Sequence, residues 1–255
     1  MHALMQGKLL LIIIMASLAV PPVSADQADA RAMLRAMSEY VGGQQSIQLT
    51  FDSSIEVITP QLEKLQFTNS GTVLLRRPDK LRAHRVGGYA DVTMFFDGET
   101  VKVYGEHIDA YAQFQAPESI DHLIHALRAG HGVALPGADL LLSNSAEVLL
   151  ANVQEARYIG RGVINGVECE HLAFRNFDTD WQLWIAAGEI PVPRKLVITS
   201  KTINSAPQYT VQIKEWRDGV ATKGADFEFT PPAGARQVAA NALIEFDELP
   251  LGAER

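Results

Sequence analysis

From Ile47 to Val57 the chain alternates: Ile47, Leu49, Phe51, Ser53, Ile55 and Val57 take one set of positions, and Gln48, Thr50, Asp52, Ser54 and Glu56 the other. A period of two sends successive side chains to opposite faces, so this run predicts a strand buried on one face and wet on the other. The pattern returns over 65–76, 81–85, 91–96, 101–104 and 110–114. Arg77-Pro78-Asp79 and Asp97-Gly98 fall between runs, where tight turns belong, so the stretch from Gly71 to Pro117 predicts an antiparallel meander. Gly71 itself, inside a run, predicts a bulge or bend.

A second group follows at 157–163, 167–175, 180–185, 194–201, 207–216 and 227–229. Asn165-Gly166 between two of its runs is a strong hairpin signal, and Pro231-Pro232 predicts the end of the sheet. Three stretches switch to helical spacing. Ala32, Met33, Ala36, Met37, Tyr40 and Val41 form one apolar stripe that stops at Gly42-Gly43, while Ile120, Leu123, Ile124 and Leu127 form another over 118–129. A third, short helix is predicted over 145–151. A long sheet with one apolar face needs a filler, and these helices supply it. The expected class is mainly β (α+β): an incomplete antiparallel β-barrel, a half-barrel curled around a few short helices, forming one domain over 26–240.

The first twenty-five residues read as a signal peptide: Lys8 is the positive start, Leu9 to Val20 the apolar stretch, and Val23-Ser24-Ala25 the cleavage site. The alternative is a retained anchor helix. With cleavage after Ala25 the protein is expected to be exported, periplasmic and soluble, with no transmembrane segment. A lipid anchor would call for a cysteine at that site, and the one cysteine is Cys169. A single cysteine makes no internal disulfide, so stability must come from the core. The formal charge of −8 over 255 residues makes nucleic acid and anionic membrane surfaces poor partners. The acidic tail, 241–255, is expected to be mobile.

Catalytic signals are weak. No Gly-x-Ser-x-Gly, His-Glu-x-x-His, P-loop or dinucleotide fingerprint occurs. His122 and His125 share a helix face beside Asp121, with His131 beyond, yet without a further ligand pattern they read as surface histidines rather than a metal site. Cys169 and His171 share a strand face, where a buried structural cysteine is the commoner arrangement. Asp178 and Asp180 read as turn residues. Neither a catalytic residue nor a cofactor or metal is expected.

Binding signals are stronger. Phe51, Phe67, Met94, Phe96, Phe114, Leu123, Leu127, Phe174 and Trp181 are candidates for lining an apolar cavity, although core packing explains such residues equally well. Trp184 falls on the opposite face from Trp181, at the outer surface or an edge. Arg77, Arg82 and Arg85, within a basic run that also holds Arg76 and Lys80, are candidates for a rim that meets a phosphate or carboxylate headgroup, or else for a solvated strand face.

Four separated motifs carry a family resemblance: Arg76-Arg77-Pro78-Asp79-Lys80-Leu81-Arg82-Ala83, Trp181-Gln182-Leu183-Trp184-Ile185, Pro193 to Thr199, and Phe229-Thr230-Pro231-Pro232-Ala233-Gly234. They resemble the exported family catalogued as domain of unknown function 2092. Gly71 with Arg77-Pro78-Asp79-Lys80-Leu81-Arg82, followed by Phe96-Asp97-Gly98 and Tyr104, is similar to the shared core pattern of LolA/LolB-type lipoprotein carriers. That resemblance implies an incomplete barrel holding helices against its concave face, and acyl chains bound between the two. The expected function is a non-catalytic carrier or sensor of a hydrophobic ligand, such as an acyl chain, a lipid or a lipidated peptide. A protein–protein module that regulates an envelope process through a membrane-anchored partner is the alternative, and a hydrolase the third.

Overall fold

The computed structural model describes residues 23–115, 118–131, 133, 135–240 and 246, with the side chains of 23–25 and 131 excepted. The expected signal segment before residue 23 therefore lies outside the described residues, as does Pro117. In chain order the elements are α1 (Val23–Gly43), β1 (Ser46–Ile58), β2 (Lys64–Arg76), β3 (Lys80–Gly87), β4 (Asp91–Phe96), β5 (Thr100–Gly105), β6 (Ala110–Gln115), α2 (Ile120–His131), α3 (Ser145–Leu150), β7 (Glu155–Ile164), β8 (Val167–Arg175), β9 (Thr179–Ala186), β10 (Pro193–Ser200), β11 (Gln208–Asp218) and β12 (Arg236–Val238).

Among the described residues, twelve strands join one sheet in the order β12-β6-β5-β4-β3-β2-β1-β11-β10-β9-β8-β7. The two groups of alternating runs are thus two meanders, seamed where β1 pairs antiparallel with β11. The sheet is open: β12 and β7 are its edges and do not pair with each other. Turn chemistry follows the sequence. Asn165 and Gly166 both have positive φ, as the hairpin turn requires, and the Asp97 carboxylate accepts the backbone N–H of Thr100 at 2.8 Å.

One face of the sheet, here the inner face, carries the helices. Across the first meander it presents Ile47, Leu75, Leu81, Phe96 and Val101, all in register and buried. The stripe on α1 is rotated from the predicted one. Ala30, Leu34, Met37 and Val41 are fully buried, while Ala32 and Ala36 face solvent, because α1 packs chiefly against β7 rather than along the middle of the sheet. The α2 stripe of Ile120, Leu123, Ile124 and Leu127 is buried as its spacing predicts. Buried Ser38 on α1 accepts the backbone N–H of Ala146 at 2.9 Å, satisfying a donor that the first turn of α3 leaves open. Ser38→Ala should cost about 1–2 kcal/mol of stability by stranding that donor, measurable as a lower urea midpoint.

Tyr40 ties α1 to the seam, donating to the Asp218 carboxylate at 2.6 Å. That hydrogen bond, with burial adding to it, pushes the phenol from its ordinary 10 up to about 12. The fold favours the protonated phenol, so its contribution is whole below pH 10 and is lost as pH rises toward 12. Tyr40→Phe should remove this component of the alkaline loss of stability. Parallel stability profiles for the two proteins across that window would contradict it.

Three expectations need correction. Gly71 makes no bulge, since β1 and β2 pair without a break, and the irregularity lies instead between Thr50 and Phe51 against β11. Residues 227–229 form no strand. Gly224–Phe227 is a 3-10 turn, in which the backbone N–H of Lys223 donates to the Asp226 carboxylate at 2.7 Å. Nor does the sheet end at Pro231-Pro232. The chain after β11 runs as a strap over the outer face of the first meander and adds β12 parallel to β6. Gly219 and Val220 tie the strap to Ser46, and Phe227 is buried with the Arg76 guanidinium 5.5 Å from its ring centre. Phe229 lies 5.1 Å from Phe95 and 5.2 Å from Tyr104.

Candidate functional site

The register brings five residues into one line across the inner face: Phe51, Gly71, Arg85, Val92 and Gly105 pair in succession from β1 to β5. Two of the five are glycines, and each seats an aromatic ring. A Cβ on Gly71 would lie 2.4 Å from Cζ of Phe51, and one on Gly105 would lie 2.8 Å from Cδ1 of Phe246. Arg85 stands between these seats and donates to the Phe246 carbonyl at 3.2 Å. The next line inward holds Leu49, Val73, Ala83, Met94 and Val103. The next line outward holds Ser53, Asn69 and Gly87, polar or side-chain-free.

This line is amphipathic. Phe51, Val92 and Met94 are only partly buried against the core and present apolar surface, while Arg85 offers a guanidinium that can fork onto a carboxylate or phosphate. Phe246 covers part of the same surface and is itself 4% exposed. Of the expected mobile tail, residues 241–245 and 247–255 lie outside the described residues. A lone aromatic in an acidic stretch, Glu245-Phe246-Asp247, is the signal available in the sequence.

The nine cavity candidates separate. Phe96, Leu123, Leu127, Phe174 and Trp181 belong to the packed core, where the Phe174 and Trp181 rings stack at 3.9 Å. Phe51, Met94 and Phe114 are partly buried at its margin. Phe67 lies beyond the core, edge-on to Tyr89 with ring centres 5.4 Å apart.

The three rim arginines also go to three places. Arg77, beyond the end of β2, turns inward: its guanidinium donates to the carbonyls of Leu141 at 2.8 Å and Val41 at 3.4 Å, with the Asp121 carboxylate 4.0 Å away. Burial pulls its pKa down, and Asp121 opposes that. Arg82 points to the outer face, 5.4 Å from the ring centre of Phe95. Arg85 alone of the three joins the inner line. Parity within β3 is the sequence signal for this difference, because Leu81, Ala83 and Arg85 alternate with Arg82 and His84.

The other chemistry-bearing residues have separate partners. The Cys169 thiol is buried, donates to the Val167 carbonyl, and burial pushes its pKa up, away from the thiolate. His171 pairs with Gln182 at 2.9 Å and stacks on Trp184 at 4.1 Å, and burial lowers its pKa. Trp184 lies on the outer face as its parity predicts, with Lys195 Nζ 5.3 Å from its ring centre. Asp180 takes ion pairs from Lys201 and Arg175. His122 and His125 are exposed, and among the described residues no group of three His, Cys, Asp or Glu side chains is placed to hold a metal ion.

A family model described as "Predicted periplasmic protein (DUF2092)" matches residues 30–241. No curated protein matches the chain. Among solved structures, an uncharacterized conserved protein from Thermus thermophilus is similar in fold, with TM-score 0.50 and 12% identity over 83% of this chain and 99% of that one. Lipoprotein LppX from Mycobacterium tuberculosis aligns at TM-score 0.48 and 15% identity, over 77% of this chain and 99% of that one. A chain of the Pseudomonas aeruginosa MucA/MucB complex aligns at TM-score 0.45 and 15% identity, over 79% of this chain and 61% of that one.

Proposed function

As this chain belongs to the DUF2092 family of predicted periplasmic proteins, we propose that it is a non-catalytic carrier or sensor of a hydrophobic ligand bearing a carboxylate or phosphate head. The observation that carries the proposal is the inner line itself, with partly exposed Phe51 and Val92 on either side of Arg85 and Met94 in the next line inward. The apolar chain of the ligand lies over Phe51, Val92 and Met94, and Arg85 meets its head. Affinity comes from apolar burial, about 25 cal/mol per Å² before ordering costs are subtracted. Phe246 competes for the same surface, so uptake requires it to leave.

Protein purified from periplasm without detergent should carry lipid that is visible by native mass spectrometry and solvent extraction. Arg85→Glu should lower that occupancy at least tenfold, by turning attraction of the head into repulsion. A wild-type protein free of lipid that also fails to bind a fluorescent fatty acid would overturn the carrier reading. The regulator alternative draws on a different observation: Ile159, Val163, Phe177 and Ile190, all on the second meander, are 47–84% exposed. Capture of a membrane-anchored partner by lipid-free protein would favour it.

A further inference from the structure

Three neighbouring hairpins finish together at one end of the sheet. Their strands, β2 with β1, β11 with β10 and β9 with β8, are consecutive in the sheet order. Ile55, Tyr209, Ile198, Trp181 and Phe174 pair in succession across them, and the turns begin two to four residues beyond that line, at Thr59, Lys201 and Asn176. Neighbouring tips are therefore level and stand about 10 Å apart, two strand spacings. Each carries one large exposed apolar side chain: Leu62 at 67%, Ile203 at 48% and Phe177 at 84%. At the other end of the sheet, Arg77-Pro78-Asp79, Asp97-Gly98-Glu99 and Asn165-Gly166 have the polar composition usual for turns. Among the described turns there, Ile190 is the one exposed large apolar residue.

The tips are braced. Leu62 has φ 64°, a left-handed backbone that glycine or asparagine adopts at less cost. Its N–H donates to the Thr59 carbonyl at 2.8 Å, while the Thr59 N–H donates to the Glu63 carbonyl at 2.9 Å and the Thr59 hydroxyl accepts the Glu63 N–H at 3.1 Å. Leucine is thus carried here against both its solvation and its backbone preference, which turns the strained position into a functional lead. The Phe177 turn is closed by the Asn176 N–H on the Thr179 carbonyl at 2.8 Å, and it is tied to the next tip by the Lys201 N–H on the Asp178 carbonyl at 2.8 Å and by Lys201 Nζ on the Asn176 carbonyl. Phe177 and Ile203 therefore project from turns already fixed to one another.

We propose that these three tips insert into the surface of a zwitterionic phospholipid bilayer. Separate apolar side chains at level turns suit a fluid interface, which closes around each one independently. A protein partner is a poorer fit: three such side chains bury about 500 Å² at most, against the roughly 800 Å² per partner of a stable interface. Charge argues for zwitterionic rather than anionic lipid. The cations at the tips are matched, Lys201 by Asp180 at 3.1 Å, Lys64 by Glu56 at 3.1 Å, and Arg175 by Glu155 and Asp180, each at 3.4 Å. Below Leu62 the inner face presents Val57 with Leu65 and then Ile55 with Phe67, none of them fully buried. A docked bilayer would thus meet the same face that holds Phe51 and Arg85, although the docking itself does not depend on the ligand reading.

The test is co-sedimentation of protein purified without detergent with phosphatidylcholine vesicles, repeated with a share of phosphatidylglycerol added. Wild-type protein should sediment equally with both. Leu62→Asn and Phe177→Ser should each weaken partitioning about tenfold, and combining them with Ile203→Ser should abolish it. Leu62→Asn should also melt no lower than wild type, because asparagine takes the left-handed backbone more readily, so lost docking is separated from lost folding. The proposal is overturned by wild-type protein that stays in solution, by a triple variant that sediments like wild type, or by binding that needs phosphatidylglycerol. A lipid-free dimer in analytical ultracentrifugation that the triple variant dissolves would overturn it too, by making a second copy the occupant. Protein that docks yet binds no fatty acid would sink the carrier reading and leave this inference standing.

Discussion

Arg77→Met is expected to lower the unfolding free energy by about 3 kcal/mol, one of the two largest single-site effects in this protein. The guanidinium joins three separate pieces of chain: the end of α1 through the Val41 carbonyl, the 3-10 turn Ala138–Leu141 through the Leu141 carbonyl, and α2 through Asp121. Methionine fills similar space but leaves the carbonyls without this donor. Arg77→Lys should recover only part of the loss, since one ammonium cannot span targets that a planar fork reaches together. Urea denaturation gives the comparison directly. A midpoint shift with unchanged slope is the expected form, and a loss below about 1 kcal/mol would show that water replaces the brace.

The second large effect is Gly71→Ala, with an expected cost of about 3 kcal/mol. The added methyl would meet the Phe51 ring, but it would also lie 2.5 Å from the His84 carbonyl oxygen on β3. The ring can turn aside; the backbone of a central strand cannot. Truncating the ring therefore gives a sharp check. In a double-mutant cycle, Phe51→Ala should relieve little of the cost of Gly71→Ala, because the clash with the carbonyl persists. Near-complete rescue would place the strain in the ring alone. Either substitution also disturbs the seat beside Arg85, so lipid occupancy should fall together with stability.

Most strands are legible in the sequence because period-two alternation survives wherever one face is wet, as it does over 47–57 and in the hairpin at Asn165-Gly166. The strap is not legible. Phe227 and Phe229 alternate like strand residues, yet they plug the outer face from an irregular segment, and β12 is three residues long, too short to carry a period. The site is half legible. Parity separates Arg85 from Arg82, but parity gives face and not depth. It does not distinguish Phe96, sealed under the helices, from Phe51 at the margin. Arg77 lies past the end of its strand, where alternation says nothing, and three distant segments decide where its side chain goes.

The seam between the meanders has a consequence for how the molecule comes to exist. β1 is complete within the first quarter of the sequence, but its partner β11 lies about 150 residues later, so the long flank of β1 waits for nearly the whole chain before it is covered. Loop closure on that scale makes for slow acquisition of structure. Until β11 docks, that raw β flank is exposed to proteases and sticky neighbours, and yield under heat stress should depend on how fast β11 docks rather than on the depth of the finished core.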